Sequence, residues 1–567
     1  MAANTSVAKE LADVIAQCGA RVCFGVLGTA NFPITYALAK NGVKYIPAMH
    51  EANAVMMACG YARTRQELVV ASLHSGPGLT NALTAIAEAS KSKTPLLVIA
   101  GDVAAGDIRN NFYFDQTSMV RSVGAIAERI YTPDTAVADL LRSLRRVLRD
   151  QQTVVLTIPE DVQKALFHDK AETESVNSLT KHVLSPLRTV PDPATIKVLA
   201  EAVEQSKRPL ILAGRGAIVA NAKDSLQTLG GQIGALFATS LAAHGVFAGE
   251  EWTVGISGGF ASDAALELLP QSDLILGFGA SFTHWTTRRG HLLNPAATIV
   301  QIDCDQSRLG YNRAASFEVL GDADLTAQAL HRELLERGVQ NRAAWRTDET
   351  RSIISALGSH RLPAGTKDGP DYIDPRRLTV EIDRILPKDR VVVTDAGHFS
   401  GWPALYLAPP DERGWCMPTS FQSVGVAMGC AIGAGLAQPE RITVLAIGDG
   451  GLMMSMSDFA TAISSGLRMC VIVYNDSAYG AEVHYFESRG YSTDIVKFTC
   501  SDFAAIAKGY GAEAAVVRNT EDLSALTHWV QRGAPGLFLV DARVDPTVMA
   551  EWFQDAFSEK PEKDQHN

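Results

Sequence analysis

Short runs of consecutive apolar residues, each closed by Gly, Pro, Asp or Asn, recur along the chain. They include Tyr45-Ile-Pro, Val154-Val-Leu-Thr-Ile-Pro, Pro209-Leu-Ile-Leu-Ala-Gly, Asp273-Leu-Ile-Leu-Gly-Phe-Gly and Ala297-Thr-Ile-Val-Gln-Ile-Asp. Val391-Val-Val-Thr-Asp, Val444-Leu-Ala-Ile-Gly-Asp and Met469-Cys-Val-Ile-Val-Tyr-Asn continue the series. Runs of this length without polar alternation predict strands buried on both faces, the pattern of parallel sheets covered by helices. Between them lie amphipathic or alanine-rich stretches, such as Ala194 to Ser206 and the helix that begins within Met1–Glu10. The alternation predicts an α/β fold. It breaks twice, at the polar stretch His168 to Asp192, ending Pro191-Asp-Pro193, and at the Gly-, Pro- and charge-rich stretch Gly358 to Asp374. Read as linkers, these divide the chain into units 1–170, 190–345 and 371–555, with a polar tail after Glu559 expected to be disordered.

Composition narrows the class. With 567 residues, 47% of them apolar and 20% charged, the chain has material for several large cores. A net charge of −11 and the lack of any basic run disfavour a nucleic-acid partner. The eight cysteines, at 18, 23, 59, 304, 416, 430, 470 and 500, form no CxxC and sit mostly in apolar runs. They read as reduced thiols of a cytoplasmic protein rather than disulfides or zinc ligands. No signal-peptide core opens the sequence, and no stretch is apolar and long enough to span a bilayer.

Candidate chemistry gathers at strand ends. In Val444-Leu-Ala-Ile-Gly-Asp-Gly-Gly-Leu-Met-Met, an apolar strand runs into Gly448-Asp449-Gly450-Gly451 and a helix. Such a helix points its amino terminus at the carboxyl edge of the sheet, where a diphosphate fits. Gly448 and Gly450 are expected to let the backbone turn sharply and approach a ligand, and Asp449 offers a hard oxygen to a divalent cation. A second oxygen ligand is expected at the end of the following strand, where Asn475 and Asp476 lie; Asp476 is 27 residues after Asp449. In the first unit, His50-Glu51 closes a short strand and opens a helix with small residues on one side. A carboxylate there is either a helix cap or a partly buried proton-exchanging group. Leu73-His74-Ser75-Gly76-Pro77-Gly78 forms a glycine-rich loop before a helix, and Phe114-Asp115-Gln116 follows.

Together these segments resemble the thiamine diphosphate (ThDP) dependent enzymes of the acetolactate synthase, benzoylformate decarboxylase and benzaldehyde lyase branch. The resemblance covers nearly the whole chain, with four motifs in the family's order. It implies three doubly wound parallel-sheet domains: pyrimidine-binding, middle and diphosphate-binding. It also implies ThDP and Mg²⁺ as cofactors, with Asp449, Asp476 and the carbonyl of Ala478 as metal ligands. Asp476 stands where the family usually has Asn, which should tighten Mg²⁺ but repel diphosphate, so Asn475 stays open as a ligand. Glu51 takes the place of the glutamate that contacts the cofactor's aminopyrimidine and promotes its imino tautomer. Val424, in Phe421-Gln422-Ser423-Val424-Gly425, takes the place of the apolar wedge between the cofactor's rings, with the Gln422 carbonyl holding the pyrimidine amino group. Val is smaller than the usual occupant. Gly397 and His398 close a strand suited to diphosphate oxygens, and Tyr479 and Gly480 extend the metal loop.

By the same resemblance, His74 is a proton relay at the substrate and Gln116 polarises a substrate carbonyl. Asn31, Tyr479, Glu482 and His484 are further substrate-side candidates, with His284 as a weaker one. The Gly214-Arg215-Gly216 loop would hold an adenine nucleotide, FAD or ADP, if the middle domain has one; an empty nucleotide fold is the commoner outcome. The implied activity is C–C lyase or carboligase chemistry on a 2-oxo acid or 2-hydroxy ketone, in a homodimer or homotetramer with shared active sites. A 2-hydroxyacyl-CoA or oxalyl-CoA lyase and a catalytically silent regulatory homologue are the alternatives. Retention of both Glu51 and Asp449 argues against silence.

Overall fold

The structure is a computed structural model and describes residues 5–167, 187–358 and 362–557. The expected linker from His168 lies outside the described residues as far as 186, as do residues 359–361 of the second linker and the tail after Glu559. Three six-stranded sheets carry the fold, and every strand pairing within them is parallel. The apolar runs become their central strands. Every residue of Leu96–Asp102, Thr153–Pro159 and Met469–Asn475 is buried, as expected where helices cover both faces.

The first sheet lines up Lys44–Pro47, Val22–Gly25, Val70–Leu73, Leu96–Asp102, Thr153–Pro159 and Ile126–Arg129. The third lines up Trp415–Cys416, Arg390–Thr394, Ile442–Gly448, Met469–Asn475, Leu537–Arg543 and Glu513–Val517. Counted along the chain within each sheet, both orders are 2-1-3-4-6-5, so the outer units share one topology. The middle sheet, with strands from Pro209–Ala213 to Phe317–Leu320, runs 3-2-1-4-5-6, the dinucleotide-fold order. Three doubly wound parallel-sheet units are therefore present. The chain's start is tied to the end of the first unit by a two-stranded antiparallel pair, Thr5–Ser6 with Leu166–Phe167.

The outer units share a core. Helix Glu51–Arg65 of the first packs lengthwise on helix Ala427–Ala437 of the third, and one cluster of buried residues runs from Val22 through Met56 to Cys430 and Leu539. Glycine makes this approach possible. A Cβ at Gly433 would collide with the Met57 carbonyl, one at Gly60 with the Cys430 carbonyl, and one at Gly429 would lie 2.7 Å from the Asn53 carbonyl oxygen. The small-residue face read from the sequence is this contact. Asp458 adds polar bonds across it, accepting from the Met49 N–H at 2.9 Å and the Asn53 amide at 2.6 Å. The middle unit has its own core. Among the described residues no helix is long and apolar enough to cross a membrane.

Candidate active site

In the third sheet the order reverses between Arg390–Thr394 and Ile442–Gly448, and the crevice outside such a switch point is where ligands bind in open α/β sheets. Asp395 and Asp449 stand at those two strand ends. The helix begins at Asp449, and Gly448 is extended with φ −77° and ψ 160°. None of Gly448, Gly450 and Gly451 has positive φ, so the sharp turn expected of them is not their purpose. Crowding is. A Cβ at Gly450 would lie 2.7 Å from the Tyr479 ring, and one at Gly451 would collide with the Asp395 carboxylate.

Asp449 is buried, with one carboxylate oxygen accepting from the Gly450 N–H at 2.7 Å and the other from the Ser477 N–H at 2.8 Å. It thereby clamps the loop that follows Met469–Asn475. Asp476 projects from that loop, accepting from the Ala478 N–H at 3.1 Å, and its second oxygen lies against Gly480. Burial raises Asp449 from the ordinary carboxylate range to about 7, and burial together with the Asp449 charge raises Asp476 to about 8. Two desolvated carboxylates that resist ionising together are what a divalent cation relieves, so this pair fits one. Asn475 donates its amide to Asp541 at 2.9 Å and to the Ser501 carbonyl at 3.5 Å, while its side-chain oxygen accepts from the Ser477 hydroxyl at 3.4 Å. Among the described residues there is no cluster of three or more His, Cys, Asp or Glu side chains suited to a metal, so backbone and ligand oxygens would complete the shell.

Asp395 is a residue that sequence reasoning passed over. It is fully buried, accepts from the Gly425 N–H at 2.7 Å, and leaves one oxygen without a partner. Burial lifts its carboxyl to about 7. The signal was a lone acid directly after an apolar strand. Through Gly425 it anchors the segment holding Val424, which is exposed, and Gln422, which is exposed with φ +57°. His398 and His484 meet at 4.8 Å between ring centroids, beside Gly480, where a Cβ would lie 2.7 Å from His398. Burial and then the neighbouring ring lower His398 to about 3; burial lowers His484, whose Nε2 is buried and unpartnered. Gly397 precedes His398 at the strand end, Tyr479 stacks edge-on against Phe498, and Glu482 faces solvent.

The first unit presents an equivalent edge. Its switch point lies between Val22–Gly25 and Val70–Leu73, and the loops that follow carry Asn31 and His74. Glu51 is the first residue of the helix beside them, which His50 caps by accepting from the Ala52 N–H: the Asn81 amide donates to the Glu51 carboxylate at 3.1 Å, and Gly78 separates it from His74. His74 is half-buried and edge-on to Phe112 at 5.1 Å; burial lowers its pKa against the pull of Glu160 and Glu51, favouring neutral imidazole. The loop at Gly28 lies so close beneath that a Cβ there would sit 2.6 Å from the imidazole.

Two candidates here are differently placed than expected. Asn31 is fully buried and engaged within the loop, accepting from the Gly28 N–H at 2.8 Å and donating to the Val26 carbonyl and Ser72 at 3.1 Å each. It shapes the floor under His74. Gln116 donates both amide hydrogens internally, to Asp102 at 2.7 Å and the Gly101 carbonyl at 3.2 Å, leaving only its buried carbonyl oxygen unpartnered. As oriented it can accept a hydrogen bond but not polarise a carbonyl.

In the middle unit, Gly214 and Gly216 pack directly against Gly279. Arg215 turns toward the first unit, donating to the Lys93 carbonyl at 3.4 Å. The cavity it lines is about 60 Å³, well below the ~300–1,000 Å³ of a cofactor-sized site. His284 is exposed and lines a larger cavity of about 400 Å³, with Trp285 and Trp552.

Comparison with known proteins agrees with this geometry. Residues 5–119 match the N-terminal TPP binding domain of the thiamine pyrophosphate enzymes, 196–330 their central domain and 395–542 their C-terminal TPP binding domain. The chain is 26% identical to a sulfoacetaldehyde acetyltransferase of Alcaligenes xylosoxydans xylosoxydans, covering 89% of this chain and 87% of that one. It is 28% identical to the acetolactate synthase large subunit of Parasynechococcus marenigrum (strain WH8102), covering 91% and 84%. To the acetolactate synthase isozyme 1 large subunit of Escherichia coli (strain K12) it is 27% identical, covering 95% and 94%. With its three domains matched in order and a diphosphate-type switch point in the third, the chain belongs to the thiamine pyrophosphate enzymes and is a ThDP-dependent enzyme.

Proposed function

We propose that this enzyme is a ThDP- and Mg²⁺-dependent C–C bond lyase or carboligase acting on a 2-oxo acid or a 2-hydroxy ketone, with domains at 1–170, 190–345 and 371–555. The observation that carries the reading is the survival of both chemical halves at equivalent sheet edges: Glu51 beside His74 in one, the Asp449–Asp476 pair in the other. Bound ThDP supplies the carbon nucleophile and electron sink. The rest falls to the protein. Asp449, Asp476 and the Ala478 carbonyl would hold Mg²⁺, which would secure the diphosphate near the start of the helix from Asp449. Gly397 and His398, at the neighbouring strand end, would border the diphosphate. Asp395 fixes the segment that presents Val424 and Gln422 to the cofactor rings.

Glu51, oriented by Asn81, holds or releases a proton at its carboxylate against the aminopyrimidine. His74, kept neutral by burial, donates to or accepts from the substrate oxygen, and Gln116 can accept from a substrate hydroxyl. Tyr479, Glu482 and His484 border the substrate space from the third unit.

The Glu51 group bonds within the first unit, to Asn81, and the Asp449 group within the third, to Gly450, Ser477 and Ala478. Each is bordered by exposed apolar side chains: Leu27, Met49 and Phe112 beside the first, Val424, Met454 and Tyr479 beside the second. This supports a homo-oligomer in which one copy's first unit covers another's third. A lyase specific for CoA thioesters has less support, because Arg215 faces the domain junction.

The test is turnover of purified protein with ThDP and Mg²⁺ against 2-oxo acids, acyloins, sulfoacetaldehyde and acyl-CoAs. Activity confined to acyl-CoAs, or none in any class with ThDP bound, overturns the reading.

A further inference from the structure

Where the three units meet, a cluster of sulfur and guanidinium groups plays no part in the chemistry above. Cys416, on the edge strand Trp415–Cys416, and Cys430, on helix Ala427–Ala437, bring their sulfurs to 3.4 Å. The Arg63 guanidinium donates to the Cys416 sulfur at 3.8 Å and to the Met417 carbonyl at 3.3 Å. Cys59, on the same helix as Arg63, and Glu88 and Arg215, from two other helices, face the same spot, and His244 lies against neighbouring Trp415. Glu88 pairs with Arg63 at 3.4 Å. Arg63 is thus paired with Glu88 and Arg215 donates to the Lys93 carbonyl at 3.4 Å, which sets two guanidiniums beside the sulfurs.

Position adds access. Cys416 forms part of the wall of the 60 Å³ cavity lined by Arg63, Gln66, Arg215 and Met417. A water needs roughly 10–15 Å³ of such space, so the cavity admits molecules the size of a peroxide. Cys430 lies behind it, fully buried. The electrostatics agree. The Cys430 S–H bond to Cys416, followed by Arg63, draws Cys416 below the ordinary thiol range against its burial, while Cys430 is pushed above it. The lower partner is the one at the cavity wall, as in thiols made reactive by neighbouring cations.

We propose that Cys416 and Cys430 form a peroxide-responsive thiol pair at the three-domain junction, with Cys416 the attacking sulfur and Cys430 the resolving one. The Cys416 thiolate attacks a hydroperoxide oxygen; the S–O bond forms, the O–O bond breaks, and the departing oxygen leaves as water or alcohol after taking a proton from solvent. The Cys430 sulfur then displaces hydroxide from the sulfenic acid, forming the S–S bond, and its proton leaves with that hydroxide as water. Two thiols are oxidised by two electrons, and one hydroperoxide is reduced. The disulfide removes the thiolate opposite Arg63 and Arg215 and pins the edge strand to the helix that follows Val424.

The test uses the full-length protein treated with hydrogen peroxide and mapped under non-reducing conditions by mass spectrometry. The expected product is a Cys416–Cys430 cross-linked peptide pair that dithiothreitol reverses. It should also form in a Cys304→Ser, Cys500→Ser variant lacking the two exposed cysteines. In Cys430→Ser, dimedone should trap a sulfenic acid at Cys416. The pH profile of iodoacetamide labelling needs no variant and should show Cys416 reacting with a midpoint below that of an ordinary thiol, ~8.5. Labelling of Cys416 at the ordinary midpoint, or peroxide consumed at Cys304 and Cys500 with the pair left reduced, overturns the proposal.

Discussion

Replacing Glu51 by Gln separates two energies that the structure makes unequal. The carboxylate accepts one hydrogen bond, from Asn81 at 3.1 Å, and is only half-buried. The Gln carbonyl can accept that same bond, so folding stability should change by no more than about 0.5 kcal/mol, the range for substitutions away from the core. ThDP affinity, set largely by the third unit, should stay within a few-fold. Proton exchange is different, because the amide cannot carry the proton, and losing an acid–base group typically costs ~10²–10⁴-fold. At ~1.36 kcal/mol per decade this is about 3–5 kcal/mol, several times the stability change. Hydrogen–deuterium exchange at the thiazolium carbon of bound ThDP, followed by NMR, reads that step; thermal unfolding and ThDP titration read the others. Asn81→Ala is the graded control. A hydrogen bond to a charged group contributes about 1.5–3 kcal/mol, and exposure puts this one at the lower limit, so exchange should slow about tenfold. Exchange within threefold of wild type in Glu51→Gln, with ThDP bound normally, would refute the role assigned to Glu51.

Four further outcomes are expected. In Mg²⁺ titrations of ThDP binding, Asp476→Ala should raise the Mg²⁺ requirement at least tenfold and Asn475→Ala much less, because the Asn475 amide is engaged with Asp541; the reverse ranking would make Asn475 the ligand. Mg²⁺ binding needs the ionised Asp449 and Asp476, whose folded values are raised to about 7 and about 8, so affinity should fall as pH drops from 8 to 6. In the metal-free protein the same shifts act in the opposite direction: the native state keeps protons that the unfolded chain has lost, so these groups destabilise it as pH rises through that window, which pH-dependent melting with and without Mg²⁺ and ThDP checks. Finally, Gly433→Ala drives a methyl into the Met57 carbonyl and should cost about 1–3 kcal/mol of stability by overpacking, visible as a lowered melting temperature; an unchanged melting temperature would mean the helix pair has slack.

The parallel sheets were legible because strands buried on both faces must be apolar throughout, and strands such as Val391–Val393 and Met469–Tyr474 carry that mark. The sequence also located the Gly448–Gly451 segment, since a Gly-rich acid directly after such a strand has few other uses. Side-chain direction was out of reach. Nothing in Phe114-Asp115-Gln116 says that Asp102 takes the Gln116 amide, because Asp102 comes from the end of the strand Leu96–Asp102 whereas Gln116 opens a helix. The purpose of Gly450 and Gly451 was likewise hidden, since it depends on Tyr479 and Asp395, distant in sequence. The Gly214-Arg215-Gly216 loop offered a guanidinium of the kind that suits phosphate, with an empty nucleotide fold the commoner outcome; its glycines pack on Gly279 and Arg215 bonds to the first unit, contacts that come from segments distant in sequence. The identical strand order of the outer sheets leaves no repeat in the sequence, because crossover geometry fixes topology while leaving residue identity free.

The shared core of the outer units bears on how the chain folds during synthesis. The inner face of the first sheet packs on residues 391–539, and the middle unit, with a core of its own, is made in between. A growing chain can complete the middle unit while the first still exposes Met56, Met57 and their neighbours. Contacts of such long sequence separation form late, and an uncovered apolar face of this size is aggregation-prone while it waits. Fragments that end before residue 427 should accumulate as insoluble material or bound to chaperones, whereas the middle unit, residues 190–345, should fold alone.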